Sequence, residues 1–292
     1  MKTKVGGILK GIYKDSSVTF RRFKKGVINP TYDVKVDGKS FVLRTYLKDF
    51  WKVRKEKYLY NLIRRKTNVP VPRIIKSGKD YLLMSKIEGR ELPVRNKKLV
   101  LEAGSLLAKI HSIKFPYYGW IINKEIKPKY RRWLDFIDHD VRLKSRKIPS
   151  KYNQLKKKVK HIIDDNRDLL NIKSKPCLLH KDYHSSHIIA DKNKINGIID
   201  IEWAIAGHNE FEVAKTCTWM FDKKPRMEKV FLQGYKKYGN LSKDFIQRKK
   251  LYKLVVLLSA LSFSYECKNI RWCIYNLRKL KRAVNEFQIK DL

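Results

Sequence analysis

The stretch His180-Lys-Asp182-Tyr-His184-Ser-Ser-His187-Ile-Ile carries the densest set of reactive side chains in the chain, and Asp200-Ile-Glu202 follows it after a short gap. Asp182 stands in an H-x-D loop between two apolar runs. His187 comes five residues later, and Asp200 thirteen residues beyond that. The runs Ile188-Ile-Ala-Asp and Gly197-Ile-Ile-Asp, with a polar turn between them, are expected to pair as a β-hairpin. That pairing would bring His187 next to Asp200, beside Asp182. One carboxylate to orient or deprotonate an attacking hydroxyl, with two more ligands for a divalent cation, is the equipment of phosphoryl transfer. In that reaction little covalent chemistry falls to the protein, so positioning and charge neutralisation dominate.

Such residues need elements to hold them. The start of the chain reads as strands. Ser17 to Phe23 alternates loosely, Gly26-Val-Ile-Asn-Pro-Thr is a turn cluster, and Tyr32 to Arg44 reads as a hairpin turning at Asp37-Gly38. Apolar residues at helical spacing predict a helix over Lys48–Arg65, ended by Val69-Pro-Val-Pro. Ile74-Ile75 and Tyr81–Ser85 are two short strands, and Glu88-Gly89-Arg90 breaks the second. From Lys97 onward the pattern is mostly helical, with Leu99–Ile113, Lys151–Leu170 and Leu251–Tyr265 as the clearest segments. The expected architecture is α+β: a small β-rich N-terminal lobe over residues 1–88, then a larger, mostly helical lobe over residues 89–292 that includes a small β insertion.

Several further features stand in a fixed order. They are Phe41-Val-Leu-Arg44 at a strand end, Glu56 in the following helix, Val69-Pro-Val-Pro-Arg, Tyr81-Leu-Leu-Met-Ser-Lys-Ile-Glu-Gly, His180-Lys-Asp182, Asp200-Ile-Glu202 and Gly207-His-Asn-Glu-Phe-Glu-Val-Ala. Over most of the chain this order resembles the aminoglycoside phosphotransferase and choline kinase branch of the protein-kinase-like fold. The resemblance implies a two-lobed phosphotransferase that uses ATP or GTP with Mg2+ and transfers the γ-phosphate to a hydroxyl of a small aminoglycoside-, choline- or sugar-like acceptor. It implies that Asp182 is catalytic, that Arg44, steadied by Glu56, neutralises the nucleotide phosphates, and that the backbone at Ser85 and Ile87 holds the adenine edge. His187 and Asp200 would hold magnesium, His180 would support the loop, and Glu202 would assist the metal or structure its loop. Glu210 and Glu266 are candidate acceptor contacts. Trp203, Trp219 and Trp272 read first as core residues and second as lining of the acceptor pocket. The chain departs from the family pattern in Arg44 for Lys, His187 for Asn and Glu212 for Asp, and its loop near Gly26 is poor in glycine. Arginine keeps the charge but meets phosphate as a planar fork, and magnesium prefers oxygen to imidazole nitrogen.

Each residue also has a plainer reading. Asp182 could make an Asx-turn, Asp200 could cap a strand end, and His187 could be structural. Arg44 and Glu56 could form a surface ion pair of little value. Their common order along the chain favours the chemical reading.

The chain of 292 residues has 68 Lys and Arg against 28 Asp and Glu, a net charge of +40. Such a charge attracts polyanions and repels polycationic aminoglycosides at long range, although an acidic pocket acts within a Debye length of ~8 Å. Weak, non-specific polyanion binding is expected. Val141–Lys160 carries nine basic residues and no acid. It suggests either solvated helix faces or a kinase docked on RNA or acidic lipid, while a non-catalytic nucleotide-binding scaffold is the other alternative. No RNA-binding signature of the RNP or KH type accompanies the charge. Four cysteines without a C-x-x-C pair argue against structural zinc and a disulfide framework. The absence of an apolar leader or a span-length apolar run leads to the expectation of a soluble, cytoplasmic protein without a transmembrane segment.

Overall fold

The computed structural model describes residues 2–24 and 29–288. Lys25 and the start of the turn cluster, Gly26-Val-Ile, lie outside the described residues. In chain order the elements are α1 (Lys2–Ile12), β1 (Val18–Arg22), β2 (Thr31–Val36), β3 (Lys39–Thr45), α2 (Trp51–Lys66), β4 (Ile74–Ser77), β5 (Tyr81–Ser85) and β6 (Arg90–Glu91). They continue as α3 (Lys97–His111), β7 (Gly119–Ile122), β8 (Glu125–Ile126), α4 (Trp133–Arg146), α5 (Asn153–Asp165), β9 (Cys177–Leu179), β10 (Ile188–Ala190) and β11 (Ile195–Ile198). The last are β12 (Ile205–Gly207), α6 (Asn209–Met220), α7 (Pro225–Lys236), α8 (Phe245–Glu266) and α9 (Ile270–Gln288). Contacts divide the chain into a first unit of Met1–Pro93, Ile121–Glu125 and Ser185–Glu202, and a second unit of Val94–Trp120, Ile126–His184 and Trp203–Leu292.

The first unit is built on an antiparallel sheet in the order β1-β2-β3-β5-β4. The β2–β3 hairpin turns where the sequence places it. Asp37 and Gly38 both take positive φ, 47° and 78°, as a two-residue hairpin turn of the right twist requires. Strand alternation then sorts β3. Leu43 points to one face and packs with Tyr32, Val34, Leu83 and the α1 residues Val5 and Leu9, whereas Arg44 points to the other. Helix α1 is absent from the sequence reading, and its three glycines explain why: each lowers helix propensity by roughly 1 kcal/mol. Val5, Ile8, Leu9 and Ile12, at i, i+3, i+4 and i+7, supply the apolar stripe that the sheet covers.

The β insertion belongs to this unit, not with the helical residues as the sequence boundary suggests. Strands β10 and β11 pair as Ile188↔Ile198, Ile189↔Gly197 and Ala190↔Ile195, and β10 pairs β6 on its other edge through Ile189↔Glu91. Strand β11 stops two residues short of Asp200, which takes the left-handed conformation at φ 65°.

In the second unit α8 lies within the core. Its residues Leu251, Tyr252, Leu254–Leu258 and Leu261 are buried with Trp133 and Phe136 of α4, Phe211 of α6, and Leu280 and Val284 of α9. The apolar run in the C-terminal third is therefore a core helix. Among the described residues no helix is long and apolar enough to cross a membrane. Strand β12 pairs β7 through Ile205↔Trp120 and β9 through Ile205↔Leu179, and β9 delivers the chain to the His180 loop. The helix expected over Lys151–Leu170 is α5 with a 3-10 turn at each end, Ser150–Tyr152 and Arg167–Leu170.

Candidate active site

In the first unit, three residues of α2 spaced by four form one ridge, because a step of four returns nearly to the same face. They are Lys52, Glu56 and Tyr60, and all three reach the polar groups that follow β3 and β11. Glu56 Oε2 lies 3.0 Å from Arg44 Nη1, and Glu56 Oε1 accepts from the Tyr46 hydroxyl at 2.6 Å. Tyr46 follows Arg44 by two residues, hence on the same side of the extended chain. The hydroxyl of Tyr60 accepts from the Asp200 backbone N–H at 2.9 Å. Lys52 Nζ is 3.9 Å from Glu202 Oε2, which also accepts from Asn29 Nδ2 at 2.8 Å.

Arg44 joins these parts. The same Nη1 that meets Glu56 is 3.1 Å from Asp200 Oδ1. The other carboxylate oxygen of Asp200 is 3.6 Å from His187 Nε2, and the Ile199 N–H donates to the His187 carbonyl at 2.9 Å. The expected proximity of His187 and Asp200 is thus present, produced by the hairpin. Glu56 is fully buried, and burial raises its pKa against the pull of Arg44. Burial alone would lower that of Arg44, but Asp200 and then Glu56 outweigh it, so the guanidinium is held charged. Glu202 is pushed up to about 7, first by burial and then by the negative charge of Asp200. The Arg44 Nε–H is buried without a hydrogen-bond partner among the described residues.

In the second unit, α6 holds the His180 loop by the same helical logic. Glu212, Lys215 and Thr216 stand at i, i+3 and i+4. Glu212 accepts the backbone N–H of His180 at 2.7 Å and that of Lys181 on its other oxygen. Lys215 donates to the Lys181 carbonyl and lies 3.7 Å from Asp182 Oδ1. Thr216 donates to the Tyr183 carbonyl at 3.1 Å. Lys181 is left-handed, at φ 65°, so the clamp fixes a conformation that a lysine seldom adopts unaided. Glu212 is itself gripped by His111 Nε2 at 3.0 Å. The His111 Nδ1 meets the Tyr235 hydroxyl at 2.8 Å, and Asn209 Nδ2 donates to that hydroxyl at 2.9 Å. Burial lowers the His111 pKa. A neutral ring with its proton on Nε2 satisfies both contacts. Gly104 and Gly234 permit this meeting, because a Cβ on Gly234 would lie 1.9 Å from the Leu101 carbonyl oxygen. Asp182 itself is left partly exposed, with His184 Nε2 at 3.5 Å and its N–H donating to His180 Nδ1 at 3.3 Å.

Other expected site residues lie differently. The Ser85 N–H donates to the Arg73 carbonyl and its hydroxyl accepts from the Arg73 N–H, both at 2.8 Å, so of its polar groups the carbonyl is the one these contacts leave. Ile87 lies over Gly197, where a Cβ would come within 2.8 Å of its side chain. Glu210 is not placed to contact an acceptor. It is buried, 2.5 Å from Arg248 Nη1, and accepts the Ser242 N–H at 2.6 Å. Two residues turn a helix by about 200°, so Glu210 faces away from the loop that Glu212 holds. Glu266 pairs with Lys147 at 2.5 Å on the surface. Trp203 and Trp272 are not core residues: both are exposed and flank Phe263, Trp203 edge-on at 6.3 Å and Trp272 stacked at 6.4 Å. Trp219 is partly buried against the core, under Lys279 Nζ at 5.0 Å.

The model of the phosphotransferase enzyme family matches residues 19–244. The chain belongs to that family. The solved structures agree on the fold. Aminoglycoside phosphotransferase APH(4)-Ia superposes with a TM-score of 0.78 at 18% identity, covering 98% of this chain and 99% of that one. A thermostable mutant of that enzyme in ternary complex with AMP-PNP and hygromycin B gives 0.75 at 18% identity, over 97% and 98%. A candidate fructosamine-3-kinase from Thermobifida fusca gives 0.69 at 16% identity, over 94% and 98%. Among curated proteins, none matches this sequence. The architecture is therefore the two-lobed, protein-kinase-like α+β fold that the motif order implies.

For a member of this family, the residues missed from sequence are the supports: Lys52 and Tyr60 on α2, and Lys215 and Thr216 on α6. Their spacing from Glu56 and Glu212 is the one signal that could have found them. It marks a shared helix face without saying what the face meets.

Proposed function

We propose that this family member is a small-molecule phosphotransferase that moves the γ-phosphate of ATP, or GTP, to a hydroxyl. The observation that carries this reading is Arg44, a partly buried cation shared by Glu56 and Asp200, with an Nε–H that has no partner among the described residues. A guanidinium fixed by two carboxylates and still partly open to solvent suits a polyphosphate. Asp182 orients the acceptor hydroxyl. Its oxygen attacks the γ-phosphorus, the bridging oxygen leaves with the nucleoside diphosphate, and the hydroxyl proton passes to the Asp182 carboxylate. The Glu212 clamp keeps the loop in the shape that presents Asp182.

Asp200 supplies the hard oxygen donor that magnesium requires, and His187 supplies a second, softer donor beside it. The pair fits such a cation, which when bound would neutralise phosphate charge. The Ser85 carbonyl and the Ile87 backbone are assigned to the adenine edge by the family resemblance. The exposed Trp203–Phe263–Trp272 face offers flat apolar surface to an aminoglycoside- or sugar-like ring, which makes carbohydrate acceptors the first class to screen.

The test is thermal unfolding with ATP or GTP, each with and without magnesium, on wild type, Asp200→Asn and Asp182→Ala. A magnesium-dependent rise is expected in wild type and Asp182→Ala and is expected to vanish in Asp200→Asn. The absence of any nucleotide effect in wild type would make the chain a scaffold instead.

A further inference from the structure

Helices α4 and α5 enclose an open groove of about 750 Å³ in the second unit. Arg142, Arg146, Lys156, Lys157 and Lys160 line it, and Asp138 is the single acid among the lining residues. That acid is already neutralised, since Arg167 holds it at 2.8 Å and also holds the neighbouring Asp164 at 3.0 Å. Lys156 serves the fold, donating to the Ile148 carbonyl at 3.0 Å beyond the end of α4. Lys160 pairs with Asp164. Arg142, Arg146 and Lys157 are exposed and make no ion pair with a described residue. On the other side of α5, a second depression of about 250 Å³ is lined by Lys158 and by Lys281 of α9. Positive charge therefore runs along both sides of one helix, over a longer path than a single phosphate group spans.

We propose that this α4–α5–α9 face binds the phosphodiester backbone of single-stranded nucleic acid. Three unneutralised cations in a concave groove, continued by lysines across α5, match a flexible chain of regularly spaced negative charges. A bilayer fits less well. The cations line a groove rather than flank an apolar face, and Leu143 is the large apolar side chain exposed within this stretch, whereas a membrane-surface helix needs an apolar face. Contacts of this kind bind phosphate and carry no base readout. The proposal is independent of phosphoryl transfer, and its test reads binding alone.

The experiment measures anisotropy of a short labelled RNA of mixed sequence, and of the matching single-stranded DNA, across a potassium chloride series. The proteins are full-length wild type, Arg142→Gln/Arg146→Gln/Lys157→Gln, and a control, Arg64→Gln/Arg65→Gln/Lys66→Gln, that removes the same charge from the exposed end of α2. Log affinity should fall linearly with log salt by roughly 0.7 per phosphate contact. The groove variant should bind roughly tenfold or more weakly at low salt, with a slope smaller by about 2. The control should behave as wild type, and RNA and DNA should respond alike. Circular dichroism checks folding. If the triple variant unfolds, Arg146→Gln and Lys157→Gln are read singly, each lowering the slope by about 0.7. Equal losses in groove and control variants would reduce the effect to diffuse charge and overturn the proposal. So would binding unchanged in the groove variant, a response confined to one polymer, or groove-dependent binding to phosphatidylserine vesicles without binding to RNA.

Discussion

The two units fix their acidic residues by different means. In the first, charges hold charges: Arg44 lies against Glu56 and Asp200, all in one largely buried group. In the second, a carboxylate holds backbone: Glu212 takes the N–H groups of His180 and Lys181, while the reactive candidate Asp182 stands partly open beside Lys215. The first arrangement would make structure and the proposed nucleotide binding depend on the same ions. The second separates them, since the residue that shapes the loop is not the one proposed to meet the hydroxyl. Substitutions should therefore separate stability from turnover in the second unit and couple them in the first.

The largest expected effect tests that separation. Asp182→Ala should lower phosphate transfer by about 10²–10⁴-fold, while nucleotide-induced stabilisation and the unfolding midpoint stay near wild type. A midpoint that falls with the rate would show that Asp182 is a structural support. Next in size is Arg44→Ala, which leaves Glu56 buried without its cation and should cost about 3–5 kcal/mol in urea unfolding. Arg44→Lys restores the charge and should recover most of that stability. Its point charge replaces a planar fork, so nucleotide affinity should recover less. Equal recovery of both would remove the special role assigned to the guanidinium.

Glu212→Gln comes third. The two backbone N–H groups are aimed at different oxygens of Glu212, so in the amide one of them would face the NH2 group, donor against donor. The expected cost is about 1–3 kcal/mol, with kcat reduced and nucleotide KM unchanged. A shift in nucleotide KM instead would mean that the clamp serves nucleotide binding as well.

The reactive candidates were legible because they sit in short linear motifs: Arg44 at a strand end, His180-Lys-Asp182 after β9, Asp200 past a hairpin whose two runs are apolar. The hairpin at Asp37-Gly38 was legible for the same reason, as two adjacent residues set the turn. The supports were not. Tyr60 and Lys215 matter because of the loop their helix face meets, and that loop is more than thirty residues away in both cases. Glu210 reads from sequence as a candidate acceptor contact, yet its partner Arg248 lies on α8. Helix α1 escaped notice because tertiary burial of Val5 and Leu9, not local propensity, stabilises it.

The smallest effect sharpens the contrast through pH. His208, in the second unit, is buried, and its Nδ1 meets the Tyr252 hydroxyl at 2.8 Å. Burial, with the positive charge of Arg248, lowers its pKa from 6.5 to about 3. The folded protein keeps this ring neutral while the unfolded chain binds a proton, so stability is full above 6.5 and is lost as pH falls toward 3. The slope from this residue approaches about 1.4 kcal/mol per pH unit. His208→Gln keeps an acceptor for Tyr252 and removes the titration, so unfolding between pH 6 and 4 should become shallower by about that amount. An unchanged slope would assign the acid sensitivity of this unit to His111, whose pKa burial also lowers and whose contact with Glu212 ties it to the shape of the Asp182 loop.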